Sequence, residues 1–326
     1  MKILGTGSYL PRKTVTNDDI AESLDTTDEW IFSHTGIKSR HIAGEGESSS
    51  TMAAEAARRA LAAAGVKPEE IGLVLIATST PDYNTFPSTA CLVQNALGCV
   101  NAGAMDVQAA CAGFVYALET ARGYTACHPE GKALVIGVET LSRIIDWTDR
   151  SSCIIFGDGA GAVVVVGDGA DAPRVNSGTR VILGADGGGC DFIARSGGVL
   201  APLKPGDVPR ITFKGHEVFA FAVRTLAKTV ADLCDGAGTA PPELDRVFAH
   251  QANLRILEAT ARRIKTPMEK FYVNLETTGN TSAASIPIAI DEAVRGGELK
   301  DGMKIVLVGF GAGLTYGGIY CVWPNL

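Results

Sequence analysis

A chain of 326 residues with 46% hydrophobic side chains and a mean hydropathy of +0.16 can bury a large core, in one large or two medium domains. Its formal charge of −7 does not favour nucleic acid or an anionic membrane, although a local basic patch can still meet an acidic partner. Eight cysteines without a CxxC pair or a histidine–cysteine zinc spacing point to a reducing compartment and no metal; with no signal-like N-terminus and no bilayer-length apolar run, a cytoplasmic protein is expected.

Lys2–Gly7 reads as a short apolar strand running into a Gly/Pro turn. Asn17 or Asp18 is placed to cap a short helix, and Thr27–Trp30 to start another. Taken alone, Trp30 is better explained by core packing than by a ligand-facing ring. Ser48–Ser50 precede an alanine-rich helix that ends at Gly65. Ile71–Thr80 is a nearly continuous apolar strand of the kind buried on both faces. A Pro/Asn-rich loop, PDYNTFPST, leads to a helix over Ala90–Leu97.

Met105–Tyr124 has the most chemical content. It reads as a short strand, a tight turn at Ala109–Ala110, then a helix with Phe114, Ala117, Leu118 and Ala121 at helical spacing. Cys111 falls at the strand-to-helix junction. Free N–H groups and the helix dipole there would favour thiolate over thiol. A buried structural cysteine explains this stretch equally well.

Leu134–Thr140 is another buried strand, and Cys153–Val166 reads as strand–turn–strand. The GDGAG run inside it lacks the Walker lysine and the dinucleotide-binding spacing, so a structural turn is expected. Asp168–Ser177 reads as a loop at the boundary of two halves, 1–170 and 171–326. Gly187–Arg210 reads as surface loops, and His216–Asp235 as a long helix. Leu244–Asn253 is a strand with a polar end, and Leu254–Arg263 a helix. Lys270 onward resolves as strand, loop, and a helix from about Ser282. Two strands around a Gly-rich turn close the chain.

The halves echo each other. In each, a buried strand is followed by a junction opening a central helix and then by a second buried strand. Cys111 and Asn280 occupy the same relative place. Two related α/β/α units with two mixed sheets around shared helices are expected, with ligands at strand ends near the pseudo-twofold junction. Cys111, His250 and Asn280 then fall at matching strand or helix ends, and the chain has only five histidines. Singly, a surface histidine and an ordinary GN turn remain the better readings of the last two.

From GTGSYLP to the last strand, the chain resembles the β-ketoacyl-acyl-carrier-protein synthase III family of the thiolase superfamily. The shared motifs are DEW, TGI and RHIA within Asp28–Ala43, QAACAGF (Gln108–Phe114), FGDGAGA (Phe156–Ala162), HQANLRI (His250–Ile256), GNTSAAS (Gly279–Ser285) and GFGAG (Gly309–Gly313). The resemblance implies a five-layered α-β-α-β-α core. It also implies a Cys111–His250–Asn280 triad and the condensation of a short acyl-CoA with malonyl-ACP. Cys111 would take the acyl group. His250 and Asn280 would donate to the enolate oxygen formed as CO₂ leaves, and the Cys111 and Ala312 N–H groups would hold the tetrahedral oxyanion.

The same resemblance implies that Trp30 and Arg150 sandwich the CoA adenine. Thr26 and Asn253 would lie along the CoA arm, and His34 stands where some relatives have a phosphate-binding arginine. Phe86 would cross a homodimer interface to close the partner's acyl pocket. Arg255, Arg262 and Arg263 would form a carrier-protein face. Lys214 is a candidate substitute for a lysine that some relatives carry where this chain has Ala220. An ordinary solvated helix surface remains the alternative for that face. No resident cofactor is expected, because CoA enters as substrate. The Gly-rich turn carries no second cysteine for thiolysis, and Glu139 is a poor candidate for the catalytic glutamate of the hydroxymethylglutaryl-CoA synthase branch. Two other functions stay open: a ketosynthase or acyltransferase of secondary metabolism with a different acceptor, and a non-catalytic CoA- or carrier-binding scaffold.

Overall fold

The computed structural model describes residues 1–168, 178–207 and 210–326. From Gly169 on, the expected boundary loop at Asp168–Ser177 lies outside the described residues.

The first half of the chain builds β1 (Lys2–Tyr9), β2 (Lys13–Thr16), α1 (Asn17–Ala21), α2 (Asp28–Thr35), β3 (Ser39–Ile42), α3 (Ser49–Ala64), β4 (Ile71–Ala77), α4 (Thr89–Leu97), β5 (Gly103–Val107), α5 (Gly113–Cys127), β6 (Lys132–Glu139), α6 (Arg150–Cys153) and β7 (Gly159–Val166). Local chemistry fixes many of the ends. Ser48 caps α3 in a capping box with Thr51, and Gly65 closes it in the left-handed conformation. Thr27 caps α2 as expected, whereas α1 is capped by Thr16 rather than by Asn17 or Asp18, since the Thr16 hydroxyl already accepts the Asp19 N–H.

The second half supplies β8 (Arg180–Ala185), β9 (Ile193–Arg195), β10 (Ile211–Phe213), α7 (Gly215–Gly236), β11 (Arg246–Ala249), α8 (Leu254–Arg263), α9 (Leu275–Thr278), α10 (Ser285–Arg295), β12 (Lys304–Gly311) and β13 (Thr315–Val322). Two expected strands are missing. Cys153 ends the short helix α6 rather than opening a strand. Lys270–Asn274 contributes only one parallel bridge, Val247 to Phe271.

Five strands pair in the order β1-β7-β6-β4-β5 and four in the order β11-β12-β13-β8. Both sheets are mixed. In the first, β4 runs parallel to β6, which is antiparallel to β7, which is antiparallel to β1. The second repeats this series as β11, β12, β13 and β8. The Val247–Phe271 bridge stands where β5 pairs with β4 in the first half, so the fifth strand of the repeat has shrunk to a single contact.

Alanine-rich α3, with α4, covers the outer face of the first sheet, and α7 with α8 covers the outer face of the second. Between the sheets lie α5 and α10, with Phe114, Leu118, Ile286 and Ile290 fully or almost fully buried. This is the expected five-layered α-β-α-β-α order. The C-terminus returns to the first half, where the Leu326 N–H donates to the Met1 carbonyl at 2.7 Å. The GDGAG run is structural: Asp158 is buried and accepts from the Ala43 N–H and from the Ser142 N–H and hydroxyl, and Gly159 begins β7. No helix among the described residues is long and apolar enough to cross a membrane.

The two halves approach each other closely at Gly137 in β6. A Cβ there would sit 2.2 Å from the Ala283 carbonyl oxygen. Gly137→Ala is therefore expected to cost about 1–3 kcal/mol by overpacking, read as a lower denaturant midpoint at unchanged slope. An unaltered midpoint would show that the contact between β6 and the turn before α10 yields freely.

Candidate active site

Cys111 lies in a 3-10 turn, Ala110–Ala112, between β5 and α5. Ala110 is left-handed at φ 46°, an unfavourable conformation for a residue with a Cβ. The residue itself is partly exposed. Its sulfur is nevertheless enclosed, and burial pushes the thiol up to about 12. The thiolate expected from the helix start alone is thus not the resting form: desolvation outweighs the donors of the turn. Gly311, at the end of β12, lies against this turn; a Cβ on it would be 2.6 Å from the Cys111 nitrogen. The Thr315 hydroxyl is 2.8 Å from the Ala109 carbonyl and 3.1 Å from that of Ala312, joining the Gly-rich turn to the cysteine turn. The Gly-rich turn that holds Ala312 thus packs against the turn that holds Cys111.

His250 follows β11 and is buried. Its Nδ1 meets Ser285 Oγ at 3.0 Å, and Phe310 packs edge-on at 5.4 Å between ring centroids. Burial pulls the imidazole down to about 3, so the ring is neutral at physiological pH. Gly309 of β12 separates it from the cysteine: a Cβ there would lie 3.3 Å from the Cys111 carbonyl and 3.7 Å from His250 Cβ.

Asn280, also buried, is held from both sides. Its N–H donates to the Ile155 carbonyl at 2.9 Å, and its carbonyl accepts from Gly157 at 3.0 Å. Arg40 braces that partner segment. Fully buried and without an ion pair among the described residues, it donates to the Ile154 carbonyl at 2.7 Å and to Asn17 Oδ1 at 2.9 Å. The Asn280 side-chain oxygen accepts the Ser282 N–H at 2.8 Å, which leaves the amide NH₂ to donate.

The backbone corrects the supposed equivalence of Cys111 and Asn280. The turn before α10 is Ser282–Ala284, and Ser282 is left-handed at φ 49°, as Ala110 is in the other half. Counted from the helix starts, Cys111 matches Ala283, while Asn280 matches Gln108. The two meet because their turns pack together.

The expected CoA residues form one contiguous group. Arg150 lies 4.6 Å from the Trp30 ring centre and donates to the Asp25 carbonyl at 2.8 Å. His34 stacks on Trp30 at 4.2 Å, and its Nδ1–H donates to the Trp30 carbonyl. Asn253 caps α8 and donates from Nδ2 to the His34 carbonyl at 3.0 Å. The buried Thr26 hydroxyl has no hydrogen-bond partner among the described residues. Trp30 is only half-buried, at the edge of the fold. With Asn253 three residues beyond His250, this group and the triad share one connecting segment.

Phe86 is 80% exposed, beside exposed Tyr83. Arg255, Arg262 and Arg263 are exposed on α8, and no ion pair engages them among the described residues. Lys214 differs: Asp191 holds its ammonium at 2.6 Å, so its charge is locally cancelled and it is a poor substitute in a basic face. Sequence reasoning passed over Ser282, Ser285 and Phe310. All three lie in motifs already singled out, but Ser285 and Phe310 meet His250 only when β11, β12 and α10 pack, and Ser282 meets Glu139 only when the two halves close.

A layered fold with a cysteine at the start of its central helix defines a condensing acyltransferase of the thiolase fold. Two family models match, described as 3-oxoacyl-[acyl-carrier-protein (ACP)] synthase III over residues 105–187 and its C-terminal part over residues 234–323. A β-ketoacyl-[acyl-carrier-protein] synthase III of Erythrobacter litoralis is 49% identical over 318 residues, 97% of each chain. The crystal structure of the synthase III from Thermus thermophilus superposes with a TM-score of 0.91 at 40% identity over 100% of both chains. The priming β-ketosynthase of the R1128 polyketide pathway gives 0.90 at 37%, covering 99% of this chain and 97% of its own. The chain belongs to the 3-oxoacyl-[acyl-carrier-protein] synthase III family.

With a folded value near 3 and an unfolded value of about 6.5, His250 disfavours the native state progressively as pH falls between those limits, and has no such effect above them. Nitrogen NMR of the labelled ring should report neutral imidazole down to about pH 5. A titration centred near the ordinary histidine value would contradict the burial argument.

Proposed function

We propose that the protein joins a short acyl group from acyl-CoA, with acetyl the expected starter, to malonyl-ACP, giving 3-ketoacyl-ACP, CoA and CO₂ and so initiating fatty-acid synthesis. The observation that carries this reading is the packing of the Cys111 turn against Gly309 and Gly311 of β12, with buried His250 beside the same Gly309 and Asn280 tied to the Ser282 turn before α10.

Cys111 sulfur attacks the thioester carbonyl and CoA leaves, so one hard substitution becomes two easier ones. The Cys111 and Ala312 N–H groups receive the negative oxygen of the tetrahedral species. Malonyl-ACP then loses CO₂. Neutral His250, with Nδ1 accepting from the Ser285 hydroxyl and the proton on Nε2, and the Asn280 NH₂ donate to the enolate oxygen, and neither needs a positive charge. The nucleophilic carbon attacks the acyl-enzyme and expels the Cys111 sulfur.

Thr26, Trp30, His34, Arg150 and Asn253 receive the CoA arm. The adenine enters between Trp30 and Arg150 and spreads them apart. Exposed Arg255, Arg262 and Arg263 attract the acidic carrier protein. Phe86, too exposed for a ring of its size in a lone subunit, reaches across a homodimer interface to a partner's acyl pocket. The working form is a cytoplasmic homodimer of chains with halves 1–170 and 171–326. The chemistry needs no resident cofactor. Similarity to the R1128 priming enzyme supports a second reading, in which the same cysteine serves a secondary-metabolic carrier.

Acetyl-CoA should add one acetyl mass to Cys111, absent in Cys111→Ala, and malonyl-ACP should then release CO₂ and yield acetoacetyl-ACP. Labelling of another residue would overturn the reading; turnover with only a polyketide carrier would favour the second. Asn280→Ala should acylate normally but lose roughly 100-fold in decarboxylation. Trp30→Ala should raise the KM for acyl-CoA about tenfold, from about 1–2 kcal/mol of lost stacking, with kcat nearly unchanged.

A further inference from the structure

Arg40, in the short strand β3, is one of the largest side chains that the fold buries completely. A guanidinium taken out of water without a carboxylate to meet it is costly. Burial lowers its pKa only to about 10, with Asp28 and Asp19 favouring the charge from beyond ion-pair distance, so it stays charged at neutrality. Its bonds go to neutral oxygens instead. Nη2 donates to the Ile154 carbonyl at 2.7 Å, and Nη1 donates to Asn17 Oδ1 at 2.9 Å and to the Val15 carbonyl at 3.3 Å. Asn17 is itself fixed, because its NH₂ donates to Asp28 Oδ1 at 2.8 Å and to the Ile37 carbonyl at 2.7 Å. One arm of the fork is thus anchored between α1 and α2, and the other closes the end of α6.

The backbone that leaves Ile154 is the cradle of Asn280. The Ile155 carbonyl accepts the Asn280 N–H, and the Gly157 N–H donates to the Asn280 carbonyl. The stem of Arg40 lies against the same crossing. A Cβ on Gly157 would stand 3.2 Å from Arg40 Cβ, and one on Gly279, left-handed at φ 64°, would stand 3.1 Å from it. A Cβ on Gly157 would also come within 2.3 Å of the Thr278 carbonyl oxygen, so the two backbones run in contact. One side chain therefore holds the first backbone by its carbonyl and bounds both with its methylenes.

We propose that Arg40 is a positioning residue for Asn280: it fixes the Ile154–Gly157 backbone that grips Asn280 from both sides, and with it the direction in which the Asn280 NH₂ faces during decarboxylation. Arg40 touches no substrate. A lysine would offer a point charge without the planar fork and could not hold Ile154 and Asn17 together in the same geometry. Cys111 and His250 stand on other elements, the turn before α5 and the end of β11, and no hydrogen bond joins Arg40 to either among the described residues. Loss of Arg40 is therefore felt at decarboxylation and not at acylation.

The inference rests on the part proposed above for Asn280. Full-length wild type, Arg40→Met, Arg40→Lys, Asn280→Ala and both double variants are loaded with acetyl-CoA, checked by intact mass, and mixed with malonyl-ACP while CO₂ release is followed. Each Arg40 variant should acetylate Cys111 within about twofold of the wild-type rate and release CO₂ roughly 10- to 100-fold more slowly. With Asn280→Ala already present, the Arg40 change should cost less than about a further twofold, because it acts through a group that is gone. Losses that multiply, or acetylation slowed as much as decarboxylation, overturn the proposal in favour of a general structural role. Should Arg40→Met fail to fold, Arg40→Lys carries the same decision, and failure of both to fold also overturns it. Side-chain amide NMR gives a readout without turnover. The Asn280 NH₂ signal, identified by its absence in Asn280→Ala, should shift in the Arg40 variants while the His250 ring nitrogens stay in place; an unmoved Asn280 signal, or a His250 signal that moves with it, counts against the proposal. A wild type that acetylates no Cys111 or releases no CO₂ would instead defeat the proposed function, and the amide signal would still decide whether Arg40 places Asn280.

Discussion

The catalytic geometry depends on one residue held in a left-handed conformation. Ser282, at φ 49°, directs its N–H to the Asn280 side chain and its hydroxyl to Glu139, on the far side of the interface between the halves. The strain is of order 1–3 kcal/mol and is offset by the packing of α10 behind it. The pseudo-twofold mate, Ala110 at φ 46°, turns the chain in the same way and presents the cysteine that follows. Two strained turns, back to back, thus make the site.

Enclosure decides the charge states. Among the described residues no lysine or arginine pairs with His250 or Glu139, and burial dominates at Cys111, His250 and Glu139 alike. All three are biased toward their neutral forms. A neutral imidazole and a carboxamide suit an enolate, because they stabilise charge that appears during the reaction without binding an anion tightly beforehand. The buried thiol has the opposite need: something must take its proton.

The outer face has another character. Trp30, His34, Arg150 and Asn253 join α2, α6 and α8 by stacking and backbone hydrogen bonds at the edge of the fold.

Much of this was legible in the chain. Apolar runs such as Ile71–Ala77 and Lys304–Gly311 announce buried strands, Ser48 and Gly65 mark the ends of α3, and the repeated strand–turn–helix pattern announces two like halves. These signals are local, so each survives without its neighbours. Cys111, His250 and Asn280 were legible as candidates for the same reason: each sits at an element's end. The charge on the sulfur was not. A helix start argues for thiolate, and only the surrounding core shows that desolvation prevails. Nor could sequence distinguish a buried Glu139 at a strand end from an ordinary one, or select Ser282 within GNTSAAS, because their partners lie 60 and 143 residues away. Periodicity and capping are properties of neighbouring residues and can be read along the chain, whereas ionisation depends on what is excluded from a volume, and that is settled only when the two halves close around it.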